Sequence, residues 1–421
     1  MTPSLSSRPA KSNVRWLICG LLFFATVIAY MDRGILSFLE KYLEGVIGFT
    51  TVQYGWMTGS FQAAYGLAFL AAGRLTDKLG ARKAFTIAII MWSLAAMAPG
   101  AATSVPTFAA AMFFLGIGEA ANFPVCIKTV AEWFPKKERA LATGIFNSGA
   151  NIGNLLVPLV VPFLTAHFTW RGAFFIGGSA GLVWLVFWLW IYTKPEENPR
   201  VSVRELGHIQ SDPPQRIRSI PWARLLPKRE TWAFALGKMM TDPVWWFWTF
   251  WLPGYFQRTF HLTLGKSSAP IVVVYAFCTV GSVGGGWLSG ALMGRGMSVN
   301  AARKTAMLIC ALCVLPVLYV PFTQSLWLVV GLVGLACAAH QGFSANIFTL
   351  TSDLFPQSAV GSVTGIGGLA GAAAGALAQL VTGYIVRFSY LPCFLYAGSA
   401  YLLALGVIHL LSPKLQPADL D

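Results

Sequence analysis

The run from Phe134-Pro135 to Thr143-Gly144 returns 221 residues later, as Phe355-Pro356 to Thr364-Gly365. Phe174 with Gly178-Ser179-Ala180 returns 220 residues later, as Phe394 with Gly398-Ser399-Ala400. The chain is two related halves, and each copy leads into a long apolar stretch studded with glycine. Halves repeated in one orientation within a bilayer imply a pseudo-twofold axis along the membrane normal, with a site between them near the midplane. Composition supplies the bilayer. Of 421 residues, 56% are hydrophobic and 11% charged, too few polar groups to cover a surface in water.

At about 20 residues per span, the apolar stretches resolve into twelve helices. They lie near 14–36, 50–73, 81–101, 104–129, 138–166, 170–193, 230–258, 268–293, 302–322, 325–350, 358–386 and 389–412. The predicted fold is an all-α polytopic membrane protein with two pseudo-symmetric six-helix bundles, residues 1–193 and 230–421. The linker, 194–229, contains Pro195, Pro199, Pro213, Pro214, Pro221 and Pro227, so irregular chain is expected there, with one short interfacial helix near 201–210.

The net charge of +14 falls on alternate loops and forms no basic stripe, which argues against a nucleic-acid partner. Arg8, Lys11 and Arg15 precede the first span, and Arg74, Lys78, Arg82 and Lys83 follow the second. Lys136, Lys137 and Arg139 follow the fourth, and the linker adds eight cations from Lys194 to Arg229. The positive-inside rule then puts both termini and the linker in the cytoplasm. The first apolar segment runs into Tyr30-Met31-Asp32-Arg33 without a small-x-small cleavage site, and reads as a retained span. Cys310 and Cys313 lie mid-span without histidine or carboxylate company, so no metal site or disulfide framework is expected. The absence of an Asn-x-Ser/Thr sequon fits a bacterial inner membrane.

Two enzyme-like patterns fail on context. Gly177 to Gly181 fits G-x-S-x-G around Ser179, but it lies within a span and lacks the strand-to-helix elbow that motif needs. Gly365, Gly367 and Gly368 imitate part of a dinucleotide fingerprint without a preceding strand. Both read as helix packing.

The informative residues are polar ones kept inside spans. An ionisable group at the bilayer centre costs about 2.5–3.5 kcal/mol, so each needs a partner, a cavity or a function. Asp32, Arg33, Glu119, Lys238, Asp242 and His340 are such residues. Asp32 and Arg33, adjacent on a helix, point about 100° apart and cannot neutralise one another. Arg33 pairs with Glu119 or presents a planar fork to a substrate carboxylate, with Asp32 and Glu119 as proton carriers. Lys238 and Asp242, four apart, form a pair from which an anion could take the lysine. Some of the rings of Trp245, Trp246, Trp248 and Trp251 read as membrane-belt residues, while Trp245 or Trp246 is placed to pack on the apolar face of a sugar. Asn147, Asn151 and Asn154 make one stripe, and Gln62 and Tyr65 share a face. His340 lies 221 residues beyond Glu119 and clusters with Gln341 and Ser344, so the repeat sets His340 opposite Glu119 across the cavity.

At these residues the chain resembles the major facilitator superfamily and, within it, the anion:cation symporter family. Gly73-Arg-Leu-Thr-Asp77-Lys-Leu-Gly80-Ala-Arg82-Lys83 resembles the superfamily's loop motif, in which Asp77 and Arg82 would latch the cytoplasmic ends. Tyr30-Met-Asp32-Arg33, Gly118-Glu119-Ala120 with Pro124, and Glu132-Trp133-Phe134-Pro135 resemble the family's further signatures. Lys238 to Trp246 and His340 to Asn346 are most similar to hexuronate transporters, with the aldonate branch the close rival. The resemblance implies proton coupling through Asp32 and Glu119, carboxylate binding at Arg33, and substrate contact at Tyr65. Where relatives often carry an arginine, seven residues before Glu119, this chain has Met112.

The expectation is therefore a monomeric, proton-driven symporter of a small organic anion in the lipid bilayer, most like a hexuronate carrier, with no cofactor and no metal. Arg33, Tyr65, Asn147, Asn151, Lys238, Trp245, Trp246, His340 and Gln341 are the expected substrate residues, and Asp32, Glu119 and Asp242 the proton-coupling ones. Gly73, Asp77, Gly80 and Arg82 form the expected gate. A sodium-coupled or facilitative carrier, a polytopic enzyme and a sugar-acid sensor are the alternatives.

Overall fold

The computed structural model describes residues 11–211 and 220–419; Arg8, Pro213, Pro214, Arg216 and Arg218 lie outside these ranges. The elements are α1 Val14–Ile47, α2 Thr51–Ala101, α3 Val105–Glu119, α4 Asn122–Trp133, α5 Lys136–Ile191, α6 Val203–Ile209 and α7 Trp222–Leu225. They continue with α8 Arg229–Thr259, α9 Ser268–Gly294, α10 Val299–Val314, a 3-10 turn Leu315–Phe322, α11 Leu326–Leu354, α12 Gln357–Ile385 and α13 Leu391–Leu411.

Among the described residues, nine helical segments are long and apolar enough to cross a membrane. Two of these are double. A helix of 51 residues would be about 76 Å long, far more than a bilayer core of about 30 Å. α2 breaks at Gly80, whose φ of 75° is open to glycine and strained for other residues. α5 breaks at Phe168 and Thr169. α8 supplies the twelfth crossing. Its mid-span charges, Lys238 and Asp242, lie in a 31-residue helix most of whose residues are buried by neighbours.

Local sequence explains several other boundaries. Thr50 and Gln53 form a reciprocal capping box at the start of α2. The single span expected over 104–129 is divided into α3 and α4, because Pro124 has no N–H to return to the carbonyl of Ala120. The break therefore falls at the turn that carries Glu119. α10 likewise passes into the 3-10 turn at Pro316.

The two halves meet most closely at the end away from the linker. A Cβ on Gly55 would lie 2.6 Å from the Gln379 carbonyl, one on Gly59 3.1 Å from Leu380, and one on Gly66 2.6 Å from Ala372, so α2 and α12 touch backbone to backbone. Tyr54 donates to the Phe250 carbonyl at 2.8 Å, Ser37 to that of Thr249 at 2.8 Å, and Gln257 to that of Phe38 at 3.2 Å. Arg258 of α8 reaches across to Glu40 and, at 2.9 Å, to Glu44, both on α1. Towards the linker the surfaces part: a Cβ on Gly73, Gly144 or Gly361 would meet nothing within 4 Å, and Asn147 is exposed.

The linker is fastened to the N-terminal half. Ser202 caps α6 through the Glu205 amide at 3.1 Å, and the Glu205 carboxylate accepts the amides of Val14 at 3.0 Å and Arg15 at 3.1 Å. Asn13 provides no side-chain cap for α1, so Glu205 serves as one from another element. Arg15 and His208 both reach Glu138, at 3.0 and 2.9 Å.

Candidate functional site

Arg33 is 2% exposed, on the face of α1 that looks into the junction of the halves. Its Nη2 donates to Glu119 Oε2 at 2.5 Å. Its guanidinium carbon lies 4.2 Å from the Tyr30 ring centre, 5.2 Å from that of Phe61 and 5.6 Å from that of Tyr65, all in the N-terminal half. The Trp246 ring of the C-terminal half stands 5.7 Å away. Arg33 Nε and Glu119 Oε1 have no hydrogen-bond partner among the described residues. A guanidinium held under rings of both halves, with a donor to spare, suits a planar anion.

Asp32 points elsewhere, towards the second half of α5, where its Oδ1 would lie 3.5 Å from a Cβ on Gly177. Neither of its oxygens has a hydrogen-bond partner among the described residues. Met112, in the core of α3, offers nothing that could pair with Asp32 or with the second oxygen of Glu119.

In the C-terminal half, Lys238 Nζ donates to Asp242 Oδ1 at 2.7 Å and sits 4.4 Å from the Phe348 ring centre. Asp242 Oδ2 lies against Gly371, where a side chain would collide with it. Trp245 stacks on His340 at 5.0 Å with planes 10° apart, and His340 Nδ1 is 2.6 Å from the Tyr401 hydroxyl. Gln341 Nε2 donates to Asn151 Oδ1 at 3.3 Å, a polar link between the halves. Asn154 Nδ2 has no partner among the described residues, and Asn154 lines a void of about 10 Å³ with Ser37, Thr249 and Tyr275.

The expected residues thus gather in three groups at the junction: Arg33 with Glu119, Tyr65 and Trp246; Lys238 with Asp242; and His340 with Trp245. Asn151 and Gln341 join across the halves, and Asn147, one turn nearer the linker, opens to the surface. His340 is engaged by Trp245 and Tyr401 within its own half, in a setting unlike that of Glu119 with its arginine. The belt reading of the tryptophans is corrected: Trp245, Trp246, Trp248 and Trp251 are at most 9% exposed, because α8 is sheathed by its neighbours. Ser179 Oγ bonds the Ile176 carbonyl at 2.8 Å inside α5.

In the loop motif, Asp77 accepts from Lys128 Nζ at 3.0 Å, and Arg82 donates to the Leu189 carbonyl at 2.7 Å. Both contacts stay inside the N-terminal half. Sequence reasoning did not single out Phe61, whose ring faces Arg33, or the group formed by Arg258 with Glu40 and Glu44. Those charges lie near span ends, where cations and carboxylates are common and give little signal.

An apolar groove of about 400 Å³ between the two segments of α2 and α3, lined by Ala64, Leu67, Met91 and Phe113 among others, contains none of these charges. It belongs to the flank of the N-terminal half, apart from the chemistry.

The model of the Major Facilitator Superfamily matches residues 22–379. The D-galactonate transporter of Escherichia coli is 28% identical over 95% of this chain and 96% of its own length. The hexuronate transporter of the same species is 26% identical over 91% of this chain and 90% of its own. A probable galactarate/D-glucarate transporter of Bacillus subtilis is 28% identical over 99% and 98%. Among solved structures, a bacterial homologue of the human lysosomal transporter Spinster, in an inward-facing and occupied conformation, superposes with a TM-score of 0.73 at 16% identity. That match covers 96% of this chain and 98% of the other, and the likeness is one of fold.

Proposed function

Because the chain belongs to the Major Facilitator Superfamily, and is a multi-pass transporter and not an enzyme, we propose that it carries a sugar acid together with protons by alternating access. The substrate favoured is a hexuronate such as glucuronate or galacturonate. The observation that carries this reading is Arg33, buried between the halves, with one nitrogen on Glu119, another unpaired, and aromatic faces on several sides. The names of the relatives support the substrate class. Since the D-galactonate transporter is one of them, an open-chain aldonate is the second reading.

The pair itself supplies a coupling rule. Glu119 and a substrate carboxylate compete for one guanidinium, so the anion binds well only when Glu119 is protonated and neutral. Binding substrate and binding a proton then occur together. Lys238 acts similarly, with Asp242 as its resident carboxylate. Asp32, which has no partner, is the further proton carrier of the proposal. The positive-inside pattern assigns the linker end to the cytoplasm, so the parted surfaces there correspond to the inward-open state. Asp77 and Arg82, held within one half here, form the gate in the opposite state.

Uptake by purified protein in proteoliposomes tests the scheme. Arg33→Ala is expected to weaken sugar-acid binding by about 2–5 kcal/mol. Glu119→Gln, which removes the competitor without removing the cation, is expected to keep binding and exchange but lose accumulation against a gradient. Continued accumulation by Glu119→Gln would show that this carboxylate does not carry the coupling proton. Uptake driven by a sodium jump and indifferent to a pH jump would overturn proton coupling altogether.

A further inference from the structure

Gln62 is fully buried on α2, and both its amide oxygen and its amide nitrogen lack a hydrogen-bond partner among the described residues. Its surroundings are unlike those of the amide next along the seam. One turn away, Gln379 Oε1 is fully used, accepting from Trp251 Nε1 of its own half at 2.7 Å and, across the halves, from Thr58 Oγ1 at 3.1 Å. Gln62 faces Gly375, where a Cβ would lie 3.0 Å from Gln62 Nε2 and 2.9 Å from Trp246 Cδ1. The missing side chain at 375 lets the amide and the Trp246 ring pack directly against the α12 backbone. Trp246, beside the amide, is the same ring that stands 5.7 Å from the Arg33 guanidinium.

A buried amide with both ends free is costly, and native structures seldom leave one unsatisfied. An amide offers one acceptor and one donor edge in a plane, the complement of two neighbouring hydroxyls, one giving and one receiving a proton. We propose that Gln62 reads a pair of hydroxyls on the carbon chain of the transported acid, while Arg33 holds its carboxylate and Trp246 lies between them against the chain. This rests on the sugar-acid reading above and adds to it a determinant of specificity. Gln62 selects polyhydroxylated acids over plain carboxylates, and it is reached as the seam of α2 and α12 loosens.

The test measures binding constants of wild type, Gln62→Leu and Gly375→Ala, by tryptophan fluorescence, for galacturonate, galactonate, their monodeoxy analogues and lactate. In the wild type, at least one deoxy analogue is expected to bind about tenfold more weakly than its parent, because the amide loses a partner. In Gln62→Leu that penalty disappears, and the parent falls to the level of the analogue. Gly375→Ala, which presses a methyl against the amide and the Trp246 ring and keeps the amide itself, is expected to weaken the parent acids while leaving lactate unchanged, and it carries the test alone should the leucine variant not fold. A deoxy penalty that survives in Gln62→Leu, or an equal loss for every acid including lactate, overturns the role of Gln62 and leaves the sugar-acid reading standing. A wild type that binds none of the sugar acids overturns both.

Discussion

Lys238 and Asp242 show why a buried ion pair is asymmetric in its energetics. At 2.7 Å and little exposed, the pair contributes modestly when intact, yet removing one member leaves the other desolvated and unopposed. Lys238→Met is expected to lower the stability of the detergent-purified protein by about 3 kcal/mol, whereas Lys238→Met with Asp242→Leu recovers most of that loss. Thermal unfolding of the two variants and the wild type measures the difference, and equal losses would show that the pair is solvated. The location of such residues was legible in the sequence, because charge inside an apolar span stands out against its neighbours. Their partners were legible only where the spacing was local. Lys238 and Asp242 share a helix face, but Arg33 and Glu119 are 86 residues apart, and which of the candidate carboxylates Arg33 meets depends on how α1 and α3 are rotated. The same holds for Phe61 and Trp246, ordinary aromatic residues until packing turns them towards a guanidinium.

At the level of elements, hydropathy marked the spans well and their interruptions poorly. Apolar runs do not show that α3 yields to α4 at Glu119 or that α10 tightens into a 3-10 turn, since both depend on hydrogen bonds that prolines withhold. The short linker helix was expected from composition, but its purpose was not. Glu205 caps α1, and although burial raises the pKa of its carboxyl, hydrogen bonds from Ser12, Arg15 and Val14 outweigh that effect and hold it below the ordinary value of 4.5. A carboxylate whose folded pKa is depressed contributes stability above its unfolded value and loses it as pH falls through the lower one. The contribution of Glu205 to the protection of the linker from proteolysis is therefore expected to be constant above pH 4.5 and to be lost as the pH falls below it. Glu205→Gln should expose the linker near neutrality. Equal cleavage of variant and wild type at pH 7 would contradict the capping role.

For the whole molecule, the repeat foretold two bundles and a junction, because internal symmetry survives in sequence long after contacts diverge. It could not foretell which end would be shut. Here the far end is held by the smooth contact of α2 with α12 and by Arg258 on Glu40 and Glu44. Arg258→Ala should leave Glu40 buried without its cation and push the population towards the state open at that end. Spin labels on Val46→Cys and Arg387→Cys, both exposed at that end, should then report a longer separation. An unaltered distance distribution would mean that the arginine does not bias the equilibrium.

That same cluster divides its charge between the halves. Glu40 and Glu44, with Lys41 on Glu44 at 2.9 Å, leave one half negative and Arg258 leaves the other positive, so when the mouth opens its lips acquire opposite signs. Dissolved ions shield such lips from each other over about 8–10 Å at ordinary salt, and more strongly as salt rises. The time the carrier spends with its far mouth ajar should thus lengthen in brine and shorten in dilute buffer, giving ionic strength a hold on turnover quite separate from any effect on the cargo.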